Sequence, residues 1–184
     1  TPLTSPVTAD NPINAIVLSG GSAYGLAASD GVMRCLEEHG IGFETGYAKV
    51  PLVCQSCIYD LGYGSATVRP DSEMGYAACE KALAGGNPSS GSVGAGTGAT
   101  VGKICGMERA MKSGLGMYAV QLGELRMAAV VAVNALGDIF DSSTGRKIAG
   151  LRTEDGTAFS DSCEELWKMG QRENLFTGNT TIGA

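Results

Sequence analysis

The 184-residue chain is 43% hydrophobic and carries 19 acidic against 13 basic residues, a net charge of −6. That suffices for one domain with a sizeable core and is too apolar for a disordered chain. No basic stripe points to nucleic acid, and no apolar run approaches the ~18 residues of a membrane span, so neither nucleic acid nor a membrane is expected as a partner. No signal-peptide pattern is present. The chain does not open with Met, so its N-terminus is expected to be processed, trimmed or incomplete. The 28 glycines are about twice the usual ~7% and predict many tight turns.

Residues 1–12 are polar, carry three prolines and read as an arm. Residues 14–18 form a short apolar run bounded by turn residues, a buried strand. Ser19-Gly20-Gly21-Ser22 turns the chain into a helix predicted over residues 23–39, with Ser22 as N-cap and Leu26, Val32, Met33 and Leu36 as its apolar stripe. This strand, Gly-rich turn and helix would present backbone N–H groups of Gly20 and Gly21 to a developing negative charge; a tight structural turn is the plain alternative. A nucleophile elbow is excluded, because Tyr24 stands where its last glycine is needed.

Residues 50–58 read as a strand that contains a lone CxxC, Cys54 and Cys57. A zinc site would want a second pair or nearby histidines, and His39 is the only histidine. A redox CxxC would open a helix. The six cysteines are therefore expected to be buried, reduced thiols, which favours a cytoplasmic location. The lone histidine, at a Glu-Glu-His-Gly helix end, also argues against a Ser-His-Asp or Cys-His apparatus.

A second helix is predicted over residues 72–84, with Ala77, Ala78 and Leu83 apolar and Gly85-Gly86 ending it. The run from Gly91 to Lys103 tempts a nucleotide-binding assignment. The Walker spacing fails, and the loose dinucleotide pattern of Gly94, Gly96 and Ala99 lacks a strand just upstream. A glycine-lined wall with Lys103 pointing into it fits better.

From Gly114 the pattern is antiparallel. Residues 115–122 and 125–133 read as a hairpin. Asn134 closes its second strand, either as a turn residue or as an amide donor to an oxyanion. Residues 141–162 read as an excursion and residues 163–169 as a short helix. Residues 174–178 lead into Gly178-Asn179-Thr180-Thr181, which has the form of a self-cleaving bond. A Thr freed at its N-terminus can use its own amine, with an ordinary pKa of about 7.7–8.0, as general base. A frayed polar tail is the plain alternative.

Four segments together, residues 14–26, 94–103, the strand ending at Asn134 and residues 178–183, resemble the L-aminopeptidase/D-esterase (DmpA) family, which includes β-aminopeptidases and the nylon-oligomer hydrolase. The resemblance implies an α/β fold of αββα sandwich type with mainly antiparallel central sheets. It also implies maturation by cleavage at Asn179–Thr180. Thr180 would be the nucleophile, Asn134 an oxyanion donor, Lys103 a neighbour of the nucleophile and Tyr59 an active-site tyrosine, with Tyr63 as a competing match.

The family continues well past its nucleophile and begins before the segment matching Thr1. The chain is thus expected to be one domain, the α-subunit plus the first residues (180–184) of the β-subunit, uncleaved as it stands. The expected partners are a small peptide or amide substrate, the protein's own C-terminal β-subunit and further copies of itself; no cofactor or metal is implied. Two other readings are an acyltransferase resembling the ornithine acetyltransferases and a non-catalytic remnant.

Overall fold

A computed structural model describes residues 2–5, 7, 11–85, 88–170 and 180–184. Asn179, the approach at residues 174–178, Gly86 and part of the N-terminal arm lie outside these described residues.

Strand β1 (Ala15–Ser19) lies parallel to β4 (Val53–Cys57), with Ala15 opposite Val53 and Ser19 opposite Cys57. Between them run a 3-10 turn (Ser22–Ala27), helix α1 (Ala28–Glu38) and the small hairpin of β2 (Phe43–Glu44) and β3 (Lys49–Val50). The single strand predicted over residues 50–58 is broken at Pro51, which has no N–H to give a ladder. Helix α2 (Ser72–Leu83) follows, capped by Asp71, whose carboxylate accepts from the Met74 N–H at 2.8 Å.

Two expectations for the first helix fail. Ser22 is not an N-cap; it sits at φ 55° inside the 3-10 turn, after Gly21 at φ 83°. The turn is tight because Gly25 packs on the Gly20 carbonyl, where a Cβ would collide. The packed stripe of α1 is Ala28, Gly31, Val32, Cys35 and Leu36, whereas Leu26 and Met33 are exposed. On α2 the buried residues are Gly75 and Cys79, not Ala77, Ala78 or Leu83. Small residues decide both faces. A Cβ at Gly31 would strike the Ser72 carbonyl and one at Gly75 the Ala28 carbonyl, so the backbones touch only where side chains are missing.

The second layer is a three-stranded antiparallel sheet ordered β11-β8-β7. Strands β7 (Leu115–Leu122) and β8 (Leu125–Asn134) form the predicted hairpin, in register from Leu115 opposite Ala132 to Leu122 opposite Leu125. Strand β11 (Thr180–Gly183) pairs with the other edge of β8, Thr180 facing Asn134. The excursion after β8 is less irregular than predicted. It contains β9 (Ile139–Phe140) and β10 (Lys147–Ala149), tied by the Lys147–Asp138 ion pair, and ends in α3 (Ser162–Met169), capped by Asp161.

Two apolar clusters hold the layers. Val32, Cys35, Leu36 and Cys79 pack against Val17, Ile41, Val53 and Tyr76 on the helix side. Ile58, Ala95, Ala99 and Ala132 join the β1–β4 pair to the three-stranded sheet. The architecture is mixed α/β, with an antiparallel sheet and a parallel pair. Among the described residues no helix is long and apolar enough to cross a membrane. All six cysteines are free thiols, but only Cys35, Cys54 and Cys79 are buried as expected; Cys57 and Cys105 are half-buried and Cys163 is exposed.

Candidate active site

The second apolar cluster brings four chain segments to one place. Strand β8 ends at Asn134, β11 begins at Thr180, β4 runs out through Ile58 to Tyr59, and β5 (Thr100–Val101) leads into Lys103. The turn before Lys103 is fixed by Gly102, at φ 68° with its α-carbon against the Gly150–Leu151 backbone, a place where no side chain fits. Its neighbours are laced to the segment after β8: the Gly102 N–H donates to the Gly137 carbonyl and the Lys103 N–H to the Leu136 carbonyl, both at 2.8 Å. The Lys103 side chain is thereby aimed back at Asn134.

Asn134 is fully buried, and its amide is held on both sides. The Lys103 ammonium donates to Oδ1 at 2.8 Å and to the Asn134 main-chain carbonyl at 2.9 Å. The Thr100 N–H donates to the same Oδ1 at 3.0 Å. Because both partners can only donate, the atom facing them is the oxygen, and Nδ2 must point the other way. It donates to the Tyr59 carbonyl at 2.7 Å, and the Tyr59 N–H donates to Thr180 Oγ1 at 3.1 Å. Thr180 Oγ1 is thus an acceptor here, and its hydroxyl proton is directed elsewhere. Tyr59 meets this group through its backbone, while its ring is partly exposed. Tyr63 lies off it, its ring 5.5 Å from the Lys112 ammonium.

Lys103 is 7% exposed. Burial pulls its ammonium down from 10.5 to about 8, against the opposing pull of the Asp60 carboxylate. Asp60 is a residue the sequence reasoning missed. Its carboxylate accepts the Gly21 N–H at 2.7 Å and lies against Gly20 and Gly98, at each of which a Cβ would collide with it. The Gly21 N–H is therefore engaged with a carboxylate of the chain itself. Lys112, also missed, ties the glycine wall together by donating to the Gly96, Ala99 and Ser113 carbonyls. The signal that could have exposed Asp60 was the pair Gly20 and Gly98, each of which must stay small.

The glycine run leads through a three-residue 3-10 turn (Gly94–Gly96) into strand β5, not into a helix N-terminus, so it lacks the geometry that cradles a dinucleotide pyrophosphate. Cys54 and Cys57 lie on β4, with the Cys57 sulfur accepting from the Ser19 hydroxyl. No histidine or cysteine joins the Asn134 network among the described residues. A mainly apolar cavity of about 740 Å³ adjoins the Asp60 cradle, sharing Gly20, Gly21, Asp60 and Gly98 with it, and extends to Val68 and Met74. Thr180, Lys103 and Asn134 are not in its wall.

The chain as a whole is similar to known proteins. The sequence profile of Peptidase family S58 matches residues 7–181. An uncharacterized aminopeptidase of Mycobacterium leprae is 37% identical over 191 aligned residues, covering all of this chain and 51% of that protein. A 6-aminohexanoate-oligomer endohydrolase of Kocuria sp. is 40% identical over 178 residues, 93% of this chain and 48% of that protein. A second uncharacterized aminopeptidase, of Mycobacterium tuberculosis, is 40% identical over 146 residues, 79% and 40% respectively. The chain spans about half the length, or less, of these curated relatives. With nearly its whole length under one profile, the chain belongs to Peptidase family S58.

Proposed function

We propose that this chain is the nucleophile-bearing part of a self-processing amide hydrolase, an aminopeptidase acting near a free amino terminus, with Thr180 as nucleophile. Membership of a peptidase family, and relatives named as aminopeptidases and as an oligomer endohydrolase, support hydrolysis of amides. The observation that carries the finer reading is the contact of Thr180 Oγ1 with the Tyr59 N–H, directly across the ladder from a lysine-locked Asn134.

In processing, Thr180 Oγ1 attacks the carbonyl of residue 179. The C–N bond breaks, an ester forms and the Thr180 amine takes up the proton; water then releases the ester. In turnover the freed amine accepts the hydroxyl proton as Oγ1 attacks the substrate carbonyl. Lys103, with its acidity near pH 8, is placed to hold that proton, its ammonium bonding to the Asn134 side-chain oxygen and main-chain carbonyl. The second Nδ2–H of Asn134, whose first is given to the Tyr59 carbonyl, is the donor for the developing oxyanion. One such donor is typically worth ~2.7–4 kcal/mol.

The outer faces of β7 and β8, where Tyr118, Leu122, Leu125 and Met127 are exposed, suit cover by the second subunit in an αββα sandwich. Intact mass of the full-length protein beside Thr180→Ala tests the reading. Two fragments in wild type, the smaller beginning at Thr180, and one uncut, inactive chain in the variant are expected. A processed, active variant refutes it.

A further inference from the structure

The paired ends of α1 and α2 carry a second cluster that shares no residue with the Thr180 site. Cys35 and His39 stand one turn apart on one face at the end of α1, and Glu80 faces them from α2. Their three donor atoms all lie within 4.8 Å of one another.

The Cys35 sulfur is 3.4 Å from Glu80 Oε1, and His39 Nε2 is 3.6 Å from the same oxygen. Metal–ligand bonds of the usual zinc lengths at tetrahedral angles set donor–donor edges of roughly 3.3–3.7 Å. Both edges through Glu80 already have that length.

The histidine turns Nε2 to Glu80, while its Nδ1 lies 4.0 Å from the Cys35 sulfur. Its Nδ1 lies 2.9 Å from the Cys35 carbonyl, an atom that can only accept, so Nδ1 carries the proton. In the neutral ring Nε2 is then the lone-pair nitrogen, and it is the one facing Glu80. A backbone carbonyl holding the far ring nitrogen is the usual outer partner of a metal-binding histidine. Cys79, the residue before Glu80 on α2, packs against Cys35 in the core cluster and is not among the three clustered donors. Two of the three donors are soft or borderline, which favours zinc-like cations over magnesium or calcium.

We propose that Cys35, His39 and Glu80 bind one thiophilic divalent cation of the zinc class, pinning the end of α1 to α2, with water from the exposed side as the fourth ligand. On loading, the metal replaces the Cys35 thiol proton, which leaves to water. The site is structural: it fixes one end of a helix pair whose spacing elsewhere is set by the close Gly31 and Gly75 backbone contacts.

The test uses the full-length protein, stripped with chelator and titrated with Co²⁺ alone. One equivalent should give the intense visible bands of tetrahedral cobalt and a thiolate-to-cobalt charge-transfer band, both displaced by Zn²⁺. His39→Ala and Glu80→Gln alter partly exposed side chains and should fold. Each should weaken Co²⁺ binding by at least the roughly 10–100-fold seen on losing an outer partner. Cys35→Ser should abolish the charge-transfer band; should that core variant fail to fold, the His39→Ala titration decides. Zn²⁺ should raise the melting temperature of wild type and not of His39→Ala. Absence of a tetrahedral spectrum, a spectrum unchanged in His39→Ala, or a Cys35–Cys79 disulfide in the isolated protein would overturn the proposal.

Discussion

Replacing Lys103 with methionine separates what the lysine does for the site from what it does to the fold. The ammonium is 7% exposed, and burial lowers it from 10.5 to about 8. At about 1.36 kcal/mol per unit, that penalises the charged form by roughly 3 kcal/mol in the folded state. Against this stand its two charge-assisted bonds to Asn134, each worth about 1.5–3 kcal/mol. The stability gap between wild type and Lys103→Met near neutrality is a balance of these and says little.

The pH dependence of the gap is decisive. For a lysine whose folded pKa is lowered, the penalty is fully present below about pH 8 and vanishes as pH rises through 10.5. Over that window the unfolded chain binds more protons, so wild type should gain roughly 3 kcal/mol on the variant. Urea unfolding of both proteins at several pH values, in a Thr180→Ala background so that processing does not intervene, measures it. Processing of Lys103→Met with Thr180 intact should fall by about 10²–10⁴, the usual worth of a positioned proton carrier. A gap flat with pH, or processing at the wild-type rate, refutes the reasoning.

Two other substitutions probe the surroundings. Asp60→Asn removes the carboxylate that raises the Lys103 pKa, so the acid limb of the pH–rate profile should move to lower pH; an unmoved limb would uncouple Asp60 from Lys103. Asp138→Asn removes the carboxylate, 6% exposed, that faces the half-buried Lys147 ammonium; that ammonium keeps its bond to the Ser160 carbonyl, so the change should cost about 1.5–3 kcal/mol. Burial raises the Asp138 pKa, but Lys147, the Leu151 N–H and the Ser162 hydroxyl outweigh it and hold it below 3.8. The loss should therefore be full above the ordinary aspartate range and shrink as pH falls below it, a trend thermal melts would show.

What could be read from the sequence were features whose cause is local. Alternation gave the β7–β8 hairpin, and a strand end placed Asn134. The signals that failed are those set by distant partners. Bulk predicted Leu26, Met33 and Leu83 for the helix faces, yet backbone contact at Gly31 and Gly75 decided which faces meet. Asp60 comes directly after Tyr59, but its setting comes from Gly20 and Gly98, about forty residues away on either side. Tyr59 was singled out for its ring, while its peptide N–H and carbonyl are what touch Thr180 and Asn134.

The order in which these contacts depend on one another bears on the proposed cleavage. Asn134 is held by Lys103, Thr100 and the Tyr59 carbonyl, none of which belongs to β11. The receiving half of the site is thus complete without Thr180. Thr180 in turn is held by the ladder to β8, by the Tyr59 N–H and by the residues on its C-terminal side. Ile182 packs into the second core cluster, and Ala184 exchanges both backbone bonds with Val130. Nothing in that attachment requires the peptide bond before Thr180. A strand beginning at Thr180 would stay in register, its new amine at the edge of a network already set, and this is the condition a nucleophile must meet if the reaction that frees it is not also to dislodge it.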